Sequence, residues 1–241
     1  MAKQKFAFTF AEILATLLII GVIASMTIPS LQEDARRRTY VAGCKKAYST
    51  ISNAVSLAEQ ENGPLRKWNW NDPDGIIDSV RNNLNLLEYC GEDKSKKCFQ
   101  NYTYTEYGTK AKGSWTVTNG RYLKLADGSQ IVFYTCTGNK KGPCGIDSYG
   151  QLATDTVYAS FFVDVNGSQN PNKFGEDIFL FNLVKDKGTL PAGSGSYKDC
   201  YKGRGLSCTA AALKYGNLNY KKNLDAEKTS GESGDSDKKK N

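Results

Sequence analysis

The sequence predicts an α+β protein: a long N-terminal helix, membrane-spanning in its first half and amphipathic in its second, packed on a small antiparallel β-sheet with disulfide-pinned loops. Three observations carry this. The stretch FTFAEILATLLIIGVIASMTIP, Phe8 to Pro29, is apolar apart from Glu12. Beyond it, Val41, Cys44, Tyr48, Ile51, Val55 and Ala58 recur at steps of three and four, which places them on one helical face. Further on the pattern changes to period two, and the apolar segments acquire strand character.

Phe8 to Ile28 rises about 31 Å as a helix, close to the hydrocarbon thickness of a bilayer. Lys3 and Lys5 precede the span and the rest of the chain follows it, so the positive-inside tendency puts the N-terminus in the cytoplasm and the long C-terminal part across the membrane. Pro29 has no amide hydrogen and is expected to bend the helix. Asn62, Gly63 and Pro64 stop it. In DPDGIIDSVRNNLNLLEYC, Asp72 or Asp74 caps a short helix bearing Ile76, Ile77, Val80, Leu84 and Leu87. In SWTVTNGRYLKLADGSQIVFYTC, Asp127 and Gly128 between two alternating runs mark a β-hairpin. VYASFFVDV and DIFLFNLV are two further strands, and SCTAAALKYGN holds a helix from about Thr209 to Tyr215 ended by Gly216.

The chain has no histidine, which removes the commonest general base and metal ligand, and any catalysis would rest on carboxylates, lysines or tyrosines. Pairs such as Asp155 with Asp164, or Glu176 with Asp177, are the residue types for acid and base work, yet no pattern places them across a cleft, and no catalytic residue is assigned. The formal charge is +7, but basic residues are scattered among nearly as many acidic ones, so a solvated surface is expected and nucleic acid is not an expected partner. NYTYTEYGTKAKGSW mixes aromatic and basic residues that could stack on bases, but its alternation reads as strand. The polar end of the chain, with Lys238 to Lys240 as a basic run, has almost nothing to bury and is expected to be disordered.

Of seven cysteines, six form three pairs of one spacing: Cys90 with Cys98, Cys136 with Cys144, and Cys200 with Cys208. Zinc would call for close CxxC knuckles, and none is present, so neighbour-to-neighbour disulfides in an oxidising compartment are expected. Loops this short stabilise by roughly 2 to 3 kcal/mol each in the chain-entropy treatment. Cys44 lies on the buried stripe and reads as a small core residue, an intersubunit disulfide being the alternative.

A carboxylate at membrane depth costs a few kcal/mol on insertion scales and needs a partner, yet no cation lies within helical reach of Glu12 inside the span. KFAFTFAEILATLLIIGVIASMTIP resembles the N-terminal signature of the type IV pilin and type II secretion pseudopilin superfamily: a basic leader, a small residue, Phe-Thr, a glutamate fifth from the cut, and a long apolar run closed by proline. By this resemblance Ala7 precedes the cut, standing where the family usually has glycine, Phe8 becomes the N-methylated terminus, Glu12 is the assembly glutamate and Pro29 the bending proline. The resemblance implies a prepilin peptidase, a bacterial inner-membrane location, and a homo- or hetero-oligomeric filament held by secretion or pilus machinery. There the Phe8 amine of one subunit would meet Glu12 of a neighbour. The implied organisation is a leader (1–7), a filament-core and membrane helix (8–29), an amphipathic half-helix (30–62), an α+β head (63–220) and a polar tail (221–241).

DVNGSQNPNKFGED, Asp164 to Asp177, combines oxygen-bearing side chains with Gly167 and Gly175. Asp164, Asn166, Asn172 and Asp177 are the expected ligands of a calcium ion, with Asn170 and Glu176 as further oxygens. An Asn/Gly/Pro turn bonding its own backbone is the other reading. The spacing is not that of an EF-hand. The resemblance points the same way, since major pseudopilins are similar in carrying a calcium loop near the end of the sheet. The expected function is a structural, non-enzymatic filament subunit, most simply of a type II secretion pseudopilus. A type IV pilus, a DNA-uptake pilin and a membrane-anchored binding protein are the alternatives.

Overall fold

The computed structural model describes residues 9–92, 98, 103–105, 112–114, 120–136, 156–197, 200–201 and 205–233. The chain divides into two units, residues 1–39 and 40–241, and helix α1, Phe10–Asn62, contributes to both.

In the first unit α1 is helical without interruption through Pro29. Losing the proline donor leaves the Ser25 carbonyl without its usual partner. Each hydroxyl of the apolar stretch bonds back to its own helix: Thr16 Oγ1 donates to Ile13 O, Ser25 Oγ to Val22 O, Thr27 Oγ1 to Ile23 O and Ser30 Oγ to Thr27 O, at 2.7–3.0 Å. With these donors satisfied, no water is needed along this surface. Its large side chains, among them Leu18, Ile20, Met26 and Leu31, face outward. Among the described residues this is the one helix long and apolar enough to cross a membrane.

In the second unit the expected stripe is buried, with Tyr40, Ala47 and Ala54 added to Val41, Cys44, Ile51, Val55 and Ala58, while Tyr48 is half-buried and stacks on Phe181. Cys44 is a free, buried cysteine whose thiol pKa is pushed up by burial. A short 3-10 turn, Leu65–Lys67, leads to α2, Pro73–Arg81. Asp72 caps α2 by accepting from Gly75 N, and Pro73 occupies the first turn, where its missing N–H is harmless.

The sheet is antiparallel in the order β1-β4-β5-β6-β7-β8. Its strands are β1 (Leu86–Gly91), β4 (Arg121–Leu125), β5 (Gln130–Thr135), β6 (Val157–Asp164), β7 (Ile178–Val184) and β8 (Gly188–Pro191). A separate ladder pairs β2 (Thr103–Thr105) with β3 (Lys112–Ser114), in the segment whose alternation reads as strand. The Asp127-Gly128 turn joins β4 to β5 with Gly128 at φ 88°. Helices α3 (Cys208–Tyr215) and α4 (Tyr220–Ser233) follow, and Gly216 ends α3 in the left-handed region.

Four outcomes differ from the expectations. Leu87 is not on α2: the helix ends at Arg81, and Leu87 is an exposed residue of edge strand β1. Strands β1 and β8 extend the sheet at both edges, and neither LLEYCG nor GTLP alternates clearly between apolar and polar residues. The sheet is covered on both faces. Leu123, Ile131, Phe133, Phe161 and Phe181 pack with the α1 stripe, whereas Tyr122, Val132, Phe162, Ile178 and Leu180 pack with Phe174, Ala192, Leu206 and the Cys90–Cys98 pair. Burial at this level stabilises by about 1.5–3 kcal/mol per large apolar side chain. Finally, the tail expected to be disordered from residue 221 is helical to Ser233, because Tyr220 and Leu224, one turn apart, are both buried and anchor α4. Lys238 to Lys240 lie outside the described residues.

Two of the expected disulfides are formed: Cys90–Cys98 with Cα atoms 6.1 Å apart, and Cys200–Cys208 at 5.0 Å. Cys136 is also disulfide-bonded, and its expected partner Cys144 lies outside the described residues.

Candidate metal centre

Asp164 is the last residue of β6, and Asp177 directly precedes β7. The sheet brings them together, since Asp164 pairs with Ile178 across the ladder and Val165 N donates to Asp177 O at 2.9 Å. The connection is drawn tightly against the β4–β5 turn. Gly167 has φ 65°, and a Cβ there would stand 2.6 Å from the Gly128 carbonyl, so only glycine fits. Asn172 is also left-handed, at φ 51°, a conformation asparagine tolerates better than most residues.

Both carboxyl groups are fully buried. Asp177 is held by backbone donors: Asn172 N to Oδ2 at 2.8 Å and Lys173 N to Oδ1 at 2.6 Å. Asp164 Oδ1 accepts a longer bond, 3.3 Å, from Asn166 N. Burial, helped by the Asp177 charge, pushes the Asp164 pKa up to about 9 against the pull of the Asn166 and Gly167 amides. Burial raises Asp177 to about 6, opposed by the Lys173 and Asn172 amides. Among the described residues none of the ion pairs reaches either carboxylate, the nearby Lys173 ammonium being paired with Glu176 at 3.1 Å.

The surrounding groups present oxygen. One end of the Asn172 side-chain amide stands 3.0 Å from Asp164 Oδ2 and 3.2 Å from the Gln169 carbonyl. With its nitrogen inward, the amide donates to both. With its oxygen inward, three oxygens converge, an arrangement that only a cation between them makes favourable. Asn166 Nδ2 donates to the carbonyls of Gln169 and Asn170 at 3.1 and 3.2 Å, which leaves Asn166 Oδ1 buried with no hydrogen-bond donor. A donor set of carboxylate, amide and main-chain oxygens without sulfur or imidazole suits a hard cation, and the buried, mutually repelling carboxylates fit calcium.

The four sequence-predicted ligands therefore share one loop, with Asp164, Asn172 and Asp177 in its buried floor and Asn166 at its edge. Glu176 is spent on Lys173, and Asn170 offers its main-chain oxygen to Asn166. The Gln169 carbonyl carries no side-chain signal and was not legible. Of the carboxylate pairs considered for catalysis, Asp155 lies outside the described residues, and Asp177 is closed off from any substrate by its burial. Glu88, Cys90 and Cys98 also lie within 4.8 Å of one another, but the two sulfurs are committed to their disulfide.

The second carboxylate of interest, Glu12, has a local partner that spacing could have revealed. Thr9 N and Thr9 Oγ1 donate to Glu12 Oε2 at 2.8 and 2.9 Å, and Glu12 N donates back to Thr9 Oγ1 at 3.2 Å. This is the reciprocal capping box of a T-x-x-E start. Among the described residues Oε1 makes no hydrogen bond. Ala7 and Phe8 lie outside the described residues.

No curated protein and no solved structure matches this chain. Residues 30–232 match a protein family described as a family of unknown function (DUF6613), and the chain belongs to that family.

Proposed function

We propose that this protein is a pilin-like subunit that polymerises into an envelope filament, after leader cleavage between Ala7 and Phe8, and that calcium secures its head. A single observation carries the reading: an apolar helix that begins on a lone glutamate continues, as one helix to Asn62, into the stripe that forms the core of a disulfide-pinned head. Glu12 keeps one oxygen for the cap and turns the other toward the terminal amine of a neighbouring subunit. A half-made pair in the membrane is expensive, and joining the filament completes it. The head lies across the inner membrane, and a type II secretion pseudopilus is the filament this arrangement fits best. Bound calcium would supply the positive charge that the buried carboxylates lack, while Asp164, Asn166, Asn172 and Asp177 hold the loop shut.

Mass spectrometry of the chain recovered from membranes tests the reading. A mature N-terminus at Phe8, carrying a methyl group, is expected; an uncut or differently cut terminus overturns it. The capping box favours one second reading, a plain membrane anchor, since it gives Glu12 a use without any neighbour.

A further inference from the structure

The turn that carries Asp177 is closed on itself. Its carboxylate accepts from the amides of Asn172 and Lys173, the amides of Glu176, Asp177 and Ile178 all donate to the Lys173 carbonyl at 3.1–3.2 Å, and Gly175 N donates to Ile178 O at 2.9 Å. The middle of this turn is pressed against the segment that the Cys200–Cys208 disulfide closes. Gly175 lies at φ 76°, and a Cβ there would stand 2.9 Å from the Gly205 carbonyl and 3.0 Å from Cys208 Cβ, so no side chain fits. The Gly175 carbonyl accepts a buried hydrogen bond of 2.6 Å from the hydroxyl of Tyr220, the first residue of α4. Phe174 shares an apolar cluster with Leu206. None of the assigned ligands comes from these C-terminal residues, yet they hold the turn at a point two residues from Asp177.

Resting on the calcium reading above, we propose that the Cys200–Cys208 disulfide and Tyr220 are positioning groups for the cation: they clamp the 173–178 turn at Gly175, hold Asp177 at the site, and so tie calcium affinity to the intact disulfide. The disulfide acts through the chain it closes. With the bond broken, the 200–208 segment regains conformational freedom, and Gly205 and Cys208 no longer form a fixed wall for the turn. The coupling is reciprocal: an ion that binds the clamped turn better than the released one also disfavours the opening through which a reductant reaches these buried sulfurs. Cys90–Cys98 provides the contrast. It is also buried and spans the same eight positions, but its strand β1 is separated from β6 by β4 and β5.

Two measurements on the full chain in detergent micelles test the clamp. In the first, the chain is reduced with tris(2-carboxyethyl)phosphine with and without calcium chloride, and the freed thiols are alkylated and located by mass spectrometry. Calcium is expected to slow reduction of Cys200–Cys208 about tenfold while changing that of Cys90–Cys98 by less than about twofold, and the protection is expected to vanish in Asp164→Asn. In the second, calorimetric titration with calcium chloride compares the unaltered chain with Tyr220→Phe, with Cys200→Ser plus Cys208→Ser, and with Cys90→Ser plus Cys98→Ser. Tyr220→Phe and the Cys200, Cys208 pair are each expected to weaken calcium binding about tenfold, the scale of one lost buried hydrogen bond, and the Cys90, Cys98 pair to leave the affinity in place. If the Cys200, Cys208 pair fails to fold, Tyr220→Phe and the reduction rates decide. Equal slowing at both disulfides, or unchanged affinity in Tyr220→Phe and in the Cys200, Cys208 pair, overturns the clamp while leaving the site standing. Absence of calcium binding by the unaltered chain overturns the site and the clamp together.

Discussion

Glu12 lies on a helix apolar enough to cross a membrane, Asp164 and Asp177 lie buried in a loop of the sheet, and the two sets of carboxylates are held by opposite strategies. Glu12 is served by a residue three positions away, through a box that any isolated helix can make. Asp164 and Asp177 lie thirteen positions apart in sequence, meet only because β6 and β7 pair, and repel each other once they have met. A local device leaves its carboxylate free for a second, charged partner. A device built by the sheet encloses its carboxylates and, among the described residues, gives them no ion pair.

The sharpest way to break the comparison is at Glu12. Glutamine serves a capping box as well as glutamate does but carries no charge. Glu12→Gln should therefore insert into membranes normally yet fail to enter filaments, a near-complete loss seen by electron microscopy and shear fractionation, with Glu12→Leu failing likewise. If Glu12→Gln assembles at the normal level while Glu12→Leu does not, the glutamate is a cap and nothing more.

A smaller effect is expected in the loop. Calcium at 100- to 1,000-fold its dissociation constant should stabilise the chain by about 3–4 kcal/mol, raising the melting temperature by roughly 5–15 °C. Asp164→Asn should abolish that rise and leave the calcium-free protein at least as stable as before, since it removes a carboxyl group that the fold can bury only by keeping it protonated. A calcium-dependent rise that survives Asp164→Asn would remove this aspartate from the site.

Acidity sharpens the same contrast. Both aspartates have native pKa values above the ordinary carboxylate range, about 9 and about 6, so the folded chain retains protons that the unfolded chain has released. Without calcium, the penalty is absent below about pH 4, grows as pH rises through 6 and levels off above 9, so thermal melting should show stability falling across that window. With calcium the fall should be reduced, because the ion displaces the same protons. A calcium-free stability that climbs from pH 5 to pH 8 would contradict the buried, unpaired state of these groups.

The mildest prediction returns to a local device. Asp72 caps α2 through Gly75 N, and Asp72→Ala should cost about 1 kcal/mol with no effect on calcium binding. A loss of calcium affinity in that variant would show that the loop depends on α2.

Much of the fold could be read ahead of the structure where the controlling interaction is short-range. The α1 stripe, the Asp72 cap, the Asp127-Gly128 hairpin, the end of α3 at Gly216 and the two described disulfides follow from periods, turn chemistry and close spacing. The T-x-x-E box at Thr9 is equally short-range, a threonine followed three residues later by a glutamate. What stayed hidden depends on distant partners. Edge strands β1 and β8 exist because β4 and β7 offer them a ladder. Helix α4 forms in a polar segment because Tyr220 and Leu224 find a core.

By itself, then, the sequence determined that an apolar helix starts on one glutamate, that an amphipathic helix and a disulfide-pinned sheet follow it, and that oxygen-bearing side chains crowd one connection. Only the tertiary structure decided which of those oxygens lie together, that the Gln169 main-chain carbonyl stands beside the Asn172 amide, and that the Tyr40 hydroxyl meets Asn166. The physical reason is range: caps, turns and helical faces are settled within a few residues, whereas burial of a charge and convergence of ligands exist only after strands far apart in the chain have paired.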